Sequence, residues 1–298
     1  IKSSAASDVY KRQVYLCFDV NEETLPAAVA GLKTCGIRGF NLTMPNKNKI
    51  VELLDELSPE AQLIGAVNTV LNDNGKLIGY NTDGYGFMQS VRDAGHDITG
   101  KNITVMGVGG ASMAICAQSA LDGAASVHIF ARRTSRYWNR TQKFAENLSA
   151  KTGCQVCLFD NDDHTALRDS IAQSYLLINA TSVGMVPDID DTIIKDTSLF
   201  HPELVVADVV YEPQETRLLR EAKAAGCQTF NGMYMLLHQG AKAFQIWTGQ
   251  EMPVSVIKEK YFSASGRAAS SLFSAVRTVS LPVLENSGIR SSVSNQTS

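Results

Sequence analysis

Between residues 14 and 262, short apolar runs alternate with segments whose apolar residues recur every three or four positions. The first rhythm predicts strands and the second predicts helices. Strand-like runs fall at 14–20, 38–43, 67–72 and 76–80, and helical spacing falls at 23–35 and 47–57. In the second helical segment Ile50, Val51, Leu53, Leu54 and Leu57 share a face. Ser58 followed by Pro59 predicts another short helix, with an N-cap residue and a proline in the first turn. Asn74-Gly75 between two strand-like runs predicts a tight hairpin. A two-residue loop there sets Asn68 opposite Asn81 and puts Asp83 on the same face if the strand continues; a three-residue loop shifts that register.

From residue 101 the alternation becomes regular. Strands are predicted at 103–106, 126–130, 155–159, 175–179, 204–210 and 228–230, with helices at 111–121, 140–150, 165–173 and 216–225. Strands separated by helices imply a parallel sheet covered on both faces. A final helix at 233–249 is too apolar to stand free and is expected to pack back on the first domain. The expected fold class is therefore α/β with two domains. An N-terminal α/β substrate domain covers 14–100 and is completed by helices in 234–262. A Rossmann-type doubly wound dinucleotide-binding domain covers 101–233. Residues 1–13 and 263–298 carry neither rhythm and are expected to be foreign to the fold, the second as a disordered serine-rich tail.

Composition narrows the function. The 298 residues suit two modest domains, each with its own core. A net charge of −3 argues against a nucleic-acid-binding face. No apolar stretch is long enough to span a bilayer, and residues 1–13 lack the apolar centre of a signal peptide. The expectation is a cytoplasmic protein with neither nucleic-acid nor membrane partners. Six scattered cysteines fit reduced thiols. Cys154 and Cys157 form a C-x-x-C, but in a strand-like stretch they face opposite sides. Nothing else completes a zinc site, so no metal is expected.

Two local patterns carry chemistry. Residues 103–106 lead into Gly107-Val108-Gly109-Gly110-Ala111-Ser112, a strand, a glycine turn and a helix start. Gly107 allows the tight turn, Gly109 lets a pyrophosphate approach the backbone, and small residues at Gly110, Ala111 and Ser112 let the helix sit close. Such a turn also occurs without a ligand; the second strand that follows it favours a dinucleotide. That strand ends in Arg132, Arg133 and Arg136, where an NAD site usually has an acid, so a 2′-phosphate and NADP are favoured over NAD. Upstream, Pro45 fixes the entry to a helix whose first turn holds Lys47, where the dipole disfavours a cation. A surface lysine is the bland reading. The company of Asn68, Asn81 and Asp83 raises the alternative, a lysine–aspartate acid/base pair. Thr43, the asparagines and Gln239 would supply hydrogen-bond partners for a polyol acid.

The runs Asn41-Leu42-Thr43-Met44-Pro45-Asn46-Lys47, Gly65-Ala66-Val67-Asn68-Thr69 and Gly79-Tyr80-Asn81-Thr82-Asp83-Gly84 resemble shikimate dehydrogenases. So do the glycine turn, Asn179-Ala180-Thr181-Ser182-Val183-Gly184-Met185, Asp208-Val209-Val210-Tyr211-Glu212-Pro213, and residues 232–240, all in family order. Met44-Pro45-Asn46-Lys47 and Trp247-Thr248-Gly249 resemble most the quinate/shikimate branch. The resemblance implies that Lys47 and Asp83 are the catalytic pair, and that Thr43, Asn68 and Gln239 bind substrate hydroxyls, with Asn81 beside them and Tyr211 at the domain cleft. It implies Gly107–Ser112 at the pyrophosphate and Arg132 with Arg133 at the adenosine ribose. Thr181, Met185, Gly232 and Met235 fall near the nicotinamide. The implied reaction is reversible NAD(P)H-dependent reduction of 3-dehydroshikimate to shikimate, on the route to chorismate and aromatic amino acids. Reduction of 3-dehydroquinate to quinate is a second activity, and the protein would be a monomer or homodimer.

Two features depart from the pattern. Thr134 stands where this branch often has an acid that favours NAD. The family's opening strand and helix, with paired serines for the substrate carboxylate, has no counterpart in residues 1–13, so a fragment of low stability or weak activity is expected. Two rivals are a silent shikimate- or quinate-binding regulator and another two-domain NAD(P) dehydrogenase. Retention of Lys47 and Asp83 opposes the first, and the polar cluster opposes the second.

Overall fold

The structure, a computed structural model, describes residues 15–262. The expectations for residues 1–13 and 263–298 lie outside that range.

The first part builds a small mixed sheet. In chain order it holds α1 (Leu25–Thr34), β1 (Gly39–Asn41), α2 (Asn46–Lys49), β2 (Glu56–Leu57), α3 (Pro59–Ile64), β3 (Thr69–Asp73) and β4 (Lys76–Tyr80). The strand order is β1-β3-β4-β2, with β2 parallel to β4 and the other pairs antiparallel. Leu25, Val29, Ile50, Val67, Val70 and Leu77 form its core. The hairpin loop has two residues, since Asp73 pairs with Lys76. Asn74 and Gly75 have φ of 52° and 95°, the left-handed pair such a turn demands. Ser58 caps α3 by accepting from Ala61 N at 3.3 Å.

Three local expectations are corrected. Residues 15–20 form no strand. The helix expected over 47–57 breaks: a 3₁₀ turn at Ile50–Leu53 follows α2, and Leu54 turns extended. Asp55 N then donates to Leu77 O at 2.9 Å and Leu77 N to the Asp55 carboxylate at 2.7 Å. Ladder bonds to β4 thus override helical spacing, as tertiary pairing commonly does. Finally, the strand does not continue through Asp83, which instead opens α4 (Asp83–Asp93).

The second part is regular: β5 (Asn102–Met106), α5 (Gly110–Leu121), β6 (Ser126–Ala131), α6 (Trp138–Thr152), β7 (Gln155–Asp160), α7 (His164–Gln173), β8 (Leu176–Asn179), β9 (Val205–Asp208), α8 (Arg217–Ala224) and β10 (Gln228–Phe230). Its parallel sheet runs β10-β9-β8-β5-β6-β7. Counted from β5, this is the doubly wound order 3-2-1-4-5-6. One apolar cluster, with Ile103, Ile115 and Leu176, covers one face, and a second, with Phe130, Leu177 and Val206, covers the other. Phe87, Met88 and Val91 of α4 join the first. The fold is α/β, an N-terminal α/β domain followed by a Rossmann-like one. α9 (Met233–Thr248) returns to α4 and to the small sheet, where Trp247 Nε1 donates to Val70 O at 2.9 Å. Residues 253–262 belong to a separate unit and carry α10 (Val254–Phe262).

Candidate active site

The order reversal in the large sheet falls between β5 and β8, and there the glycine turn sits. Gly107 has φ of 113°, and a Cβ on it would lie 2.8 Å from Thr181 Cγ2. Gly107 therefore closes the β5–β8 join, and only glycine fits. Gly109 and Gly110 have open space where their Cβ atoms would be, with Gly109 the N-cap of α5. Buried Ser112 ties the turn by donating from Oγ to Gly107 O at 2.5 Å. An open, side-chain-free cradle at a helix start, with backbone N–H groups lacking intrahelical partners, fits a pyrophosphate. The chain's residues thus fit the expected dinucleotide.

The small sheet delivers the other half of the site. Lys47 sits on α2, which is pinned around it: Asn46 Nδ2 donates to Val20 O at 2.6 Å, and Val67 N donates to Lys47 O at 2.8 Å. Its Nζ lies 2.6 Å from Asp83 Oδ2, and both side chains are mostly shielded from solvent. The hairpin brings Asn68 beside them, donating to Asp83 Oδ1 at 2.8 Å. Asn68 Oδ1 in turn accepts from Thr82 N at 2.9 Å. Asp83 is the first residue of α4, where the helix dipole favours a carboxylate. The conflict noted for Lys47 at its own helix start is resolved by that carboxylate.

Two glycines set the placement of α4. A Cβ on Gly84 would fall 2.3 Å from Ala114 O, one turn into α5, and a Cβ on Gly86 would fall 2.6 Å from Met235 O and 2.7 Å from Gln239 N. So α4 is wedged between α5 and α9, with Asp83 near the glycine turn and Gln239 Oε1 3.4 Å from Asn68 Nδ2. Lys47, Asp83, Asn68 and Gln239 form one cluster. Thr43, just past β1, is exposed. Because β1 stops at Asn41, strand alternation does not reach Thr43.

Other candidates take different parts. Asn81 donates to Ala66 O at 3.0 Å and accepts from Asp83 N at 3.1 Å. Buried and engaged with backbone on both sides, it braces Asp83. Arg132 and Arg133 follow β6 and are exposed; the Arg133 guanidinium lies 4.6 Å over the Trp138 ring. Thr181 follows β8 and is held by Asn179, while Met185 is exposed beyond it. Tyr211 is half-buried after β9. A Cβ on Gly232 would fall 2.1 Å from Val209 O, so Gly232 lets α9 start tightly against that segment, with Met235 one turn on. Cys154 is buried, Cys157 half-buried in β7, and no group of three or more His, Cys, Asp or Glu among the described residues is placed to hold a metal.

The sequence pattern missed α4 and the buried group Asn179–Asp208–Thr216. The one signal for α4 was Gly84-Tyr85-Gly86, which lowers helix propensity and so hid the helix, although close packing is its reason. Burial pushes the Asp208 carboxyl up to about 6, against three hydrogen bonds that lower it.

The chain is similar to known proteins. Residues 1–70 match the shikimate dehydrogenase substrate binding domain, and residues 232–260 match the shikimate 5′-dehydrogenase C-terminal domain. The chain is 51% identical over 249 residues to a shikimate dehydrogenase (NADP(+)) of Listeria innocua, covering 84% of this chain and 85% of that protein. This chain belongs to the shikimate dehydrogenase family. A second relative in it is the quinate/shikimate dehydrogenase of Escherichia coli, 42% identical over 245 residues, covering 82% of this chain and 85% of the relative. Among solved structures, the Listeria monocytogenes shikimate 5-dehydrogenase in complex with shikimate and NAD superimposes with a TM-score of 0.81. It is 50% identical, over 83% of this chain and 85% of that one. No helix among the described residues is long and apolar enough to cross a membrane.

Proposed function

We propose that this chain is a shikimate dehydrogenase that reversibly reduces 3-dehydroshikimate to shikimate, with quinate as a second substrate. It acts on a CH–OH group of a small cyclic acid. NADP is the favoured cofactor and NAD the alternative: Arg132 and Arg133 follow β6, and Thr134 follows them rather than an acid. The observation that carries the reading is the Lys47–Asp83 contact of 2.6 Å, on a helix wedged one turn from the glycine cradle.

The nicotinamide, when bound, supplies or accepts the hydride. Gly107, Gly109, Gly110, Ala111 and Ser112 would hold the pyrophosphate, with Thr181, Met185, Gly232 and Met235 toward the nicotinamide side. In the reductive direction the Lys47 ammonium delivers a proton to the carbonyl oxygen; in the oxidative direction the amine takes the hydroxyl proton. Asp83 orients that amine and offers an acceptor to the same hydroxyl. Asn68 and Gln239 fix the ring hydroxyls, with Thr43 and Tyr211 at the rim. A monomer or homodimer in the cytoplasm, on the route to chorismate, completes the reading and rests on the family alone.

The test is a set of initial rates with shikimate and quinate, each with NADP⁺ and NAD⁺. Turnover of shikimate, faster with NADP⁺, is expected. No turnover in any combination refutes the reading.

A further inference from the structure

The strands β5, β8 and β9 end at one level, since Met106 is in register with Asn179 and Asn179 with Asp208. Beyond that level lie the glycine turn, the segment 180–186 and the segment 209–216. Asp208, fully buried, ties the last two together. Its Oδ1 accepts from Asn179 Nδ2 at 3.0 Å and from Val210 N at 2.9 Å, and its Oδ2 accepts from Thr216 Oγ1 at 2.8 Å. With its Nδ2 held, Asn179 presents Oδ1 outward, where it accepts from Thr181 Oγ1 at 2.7 Å and Thr181 N at 3.1 Å. Thr181 Oγ1 then accepts from Val183 N at 3.1 Å. The far side of Thr181 is the methyl packed on Gly107. A carboxylate has only acceptors, so it also dictates which way the Asn179 amide faces.

We propose that Asp208 is a positioning residue: acting through Asn179 it sets Thr181 against the glycine turn and so shapes the nicotinamide end of the cofactor site, leaving the adenosine end to β6. This rests on the dinucleotide reading above. Asp208 touches neither substrate nor cofactor on this account.

The experiment measures binding, without turnover, of NADP⁺ and of 2′-phospho-ADP-ribose, the same molecule without nicotinamide. Asp208→Asn leaves one acceptor oxygen for three donors, and Asn179→Asp sets two carboxylates face to face. Each single variant is expected to weaken NADP⁺ about 5- to 10-fold, the scale of one lost hydrogen bond, while 2′-phospho-ADP-ribose binds as in the parent. Should Asp208→Asn fail to fold, Asn179→Asp decides. Unchanged NADP⁺ binding in the folded single variants, or an equal loss for both ligands, overturns the proposal. A parent protein that binds neither NADP⁺ nor NAD⁺ would instead sink the dinucleotide reading.

Discussion

Gly86→Ala is the substitution that separates a helix held by packing from a helix held by propensity. In an open helix interior, glycine to alanine gains about 1 kcal/mol. At Gly86 the added methyl would lie 2.6 Å from Met235 O and 2.7 Å from Gln239 N, whereas ordinary contact begins at 3.4 Å. Both opposing atoms are backbone, so no rotamer change relieves the clash and α9 must retreat by about 0.8 Å. Overpacking of this kind costs about 1–3 kcal/mol, which outweighs the propensity gain. The functional effect follows from the same shift. Gln239 Oε1 already stands 3.4 Å from Asn68 Nδ2, and any retreat takes it out of hydrogen-bond range. Losing a substrate partner on that scale raises the shikimate KM roughly 5- to 10-fold, with kcat changed less because Lys47 sits on α2 and Asp83 opens α4, neither on the retreating α9. Urea unfolding and steady-state kinetics measure both. Gly31→Ala on α1, with nothing within 4 Å of the new methyl, is the control and should gain about 0.5–1 kcal/mol. If Gly86→Ala gained as much as the control, or left the shikimate KM unchanged, the wedge account of α4 would be wrong.

Other outcomes follow from the same geometry. Lys47→Ala should lower kcat about 10²- to 10⁴-fold with NADP⁺ binding intact, which steady-state rates and a binding titration check together. Gly109→Val meets open space, so its melting temperature should match the parent, while NADP⁺ affinity falls at least about tenfold because the methyls fill the cradle. Asp208 gives a pH signature in stability. Its folded value of about 6 lies above the ordinary 3.8, so the folded state binds its proton more tightly. The stability it contributes is complete below about pH 3.8 and is lost as pH rises through 6, a change of about 3 kcal/mol. The unfolding free energy of the parent relative to Asp208→Asn should therefore fall between pH 4 and pH 7, and a pH-independent difference in urea titrations would contradict this.

Much of this protein follows from local rules. The alternation of apolar runs from residue 101 onward determined the doubly wound sheet, because strands buried on both faces must be continuously apolar. Asn74-Gly75 determined the hairpin register, since few residue pairs adopt two positive φ values, and that register set Asn68 opposite Asn81. The glycines at 107, 109 and 110 determined the cradle. Tertiary structure decided the rest. The segment 47–57 has helical spacing yet ends in a strand, because β4 offers backbone partners that no spacing reveals. Helix α4 forms despite two glycines, because their missing side chains admit α5 and α9. That Asn81 braces Asp83, its amide bonded to Ala66 and Asp83, is likewise set in space. The Asp208 run resembles the family in sequence, yet its part is not legible there, for burial and hydrogen-bond partners 29 and 8 residues away give it that part. Local rules report what each backbone segment prefers; which polar atoms meet is set by contacts between segments distant in the chain.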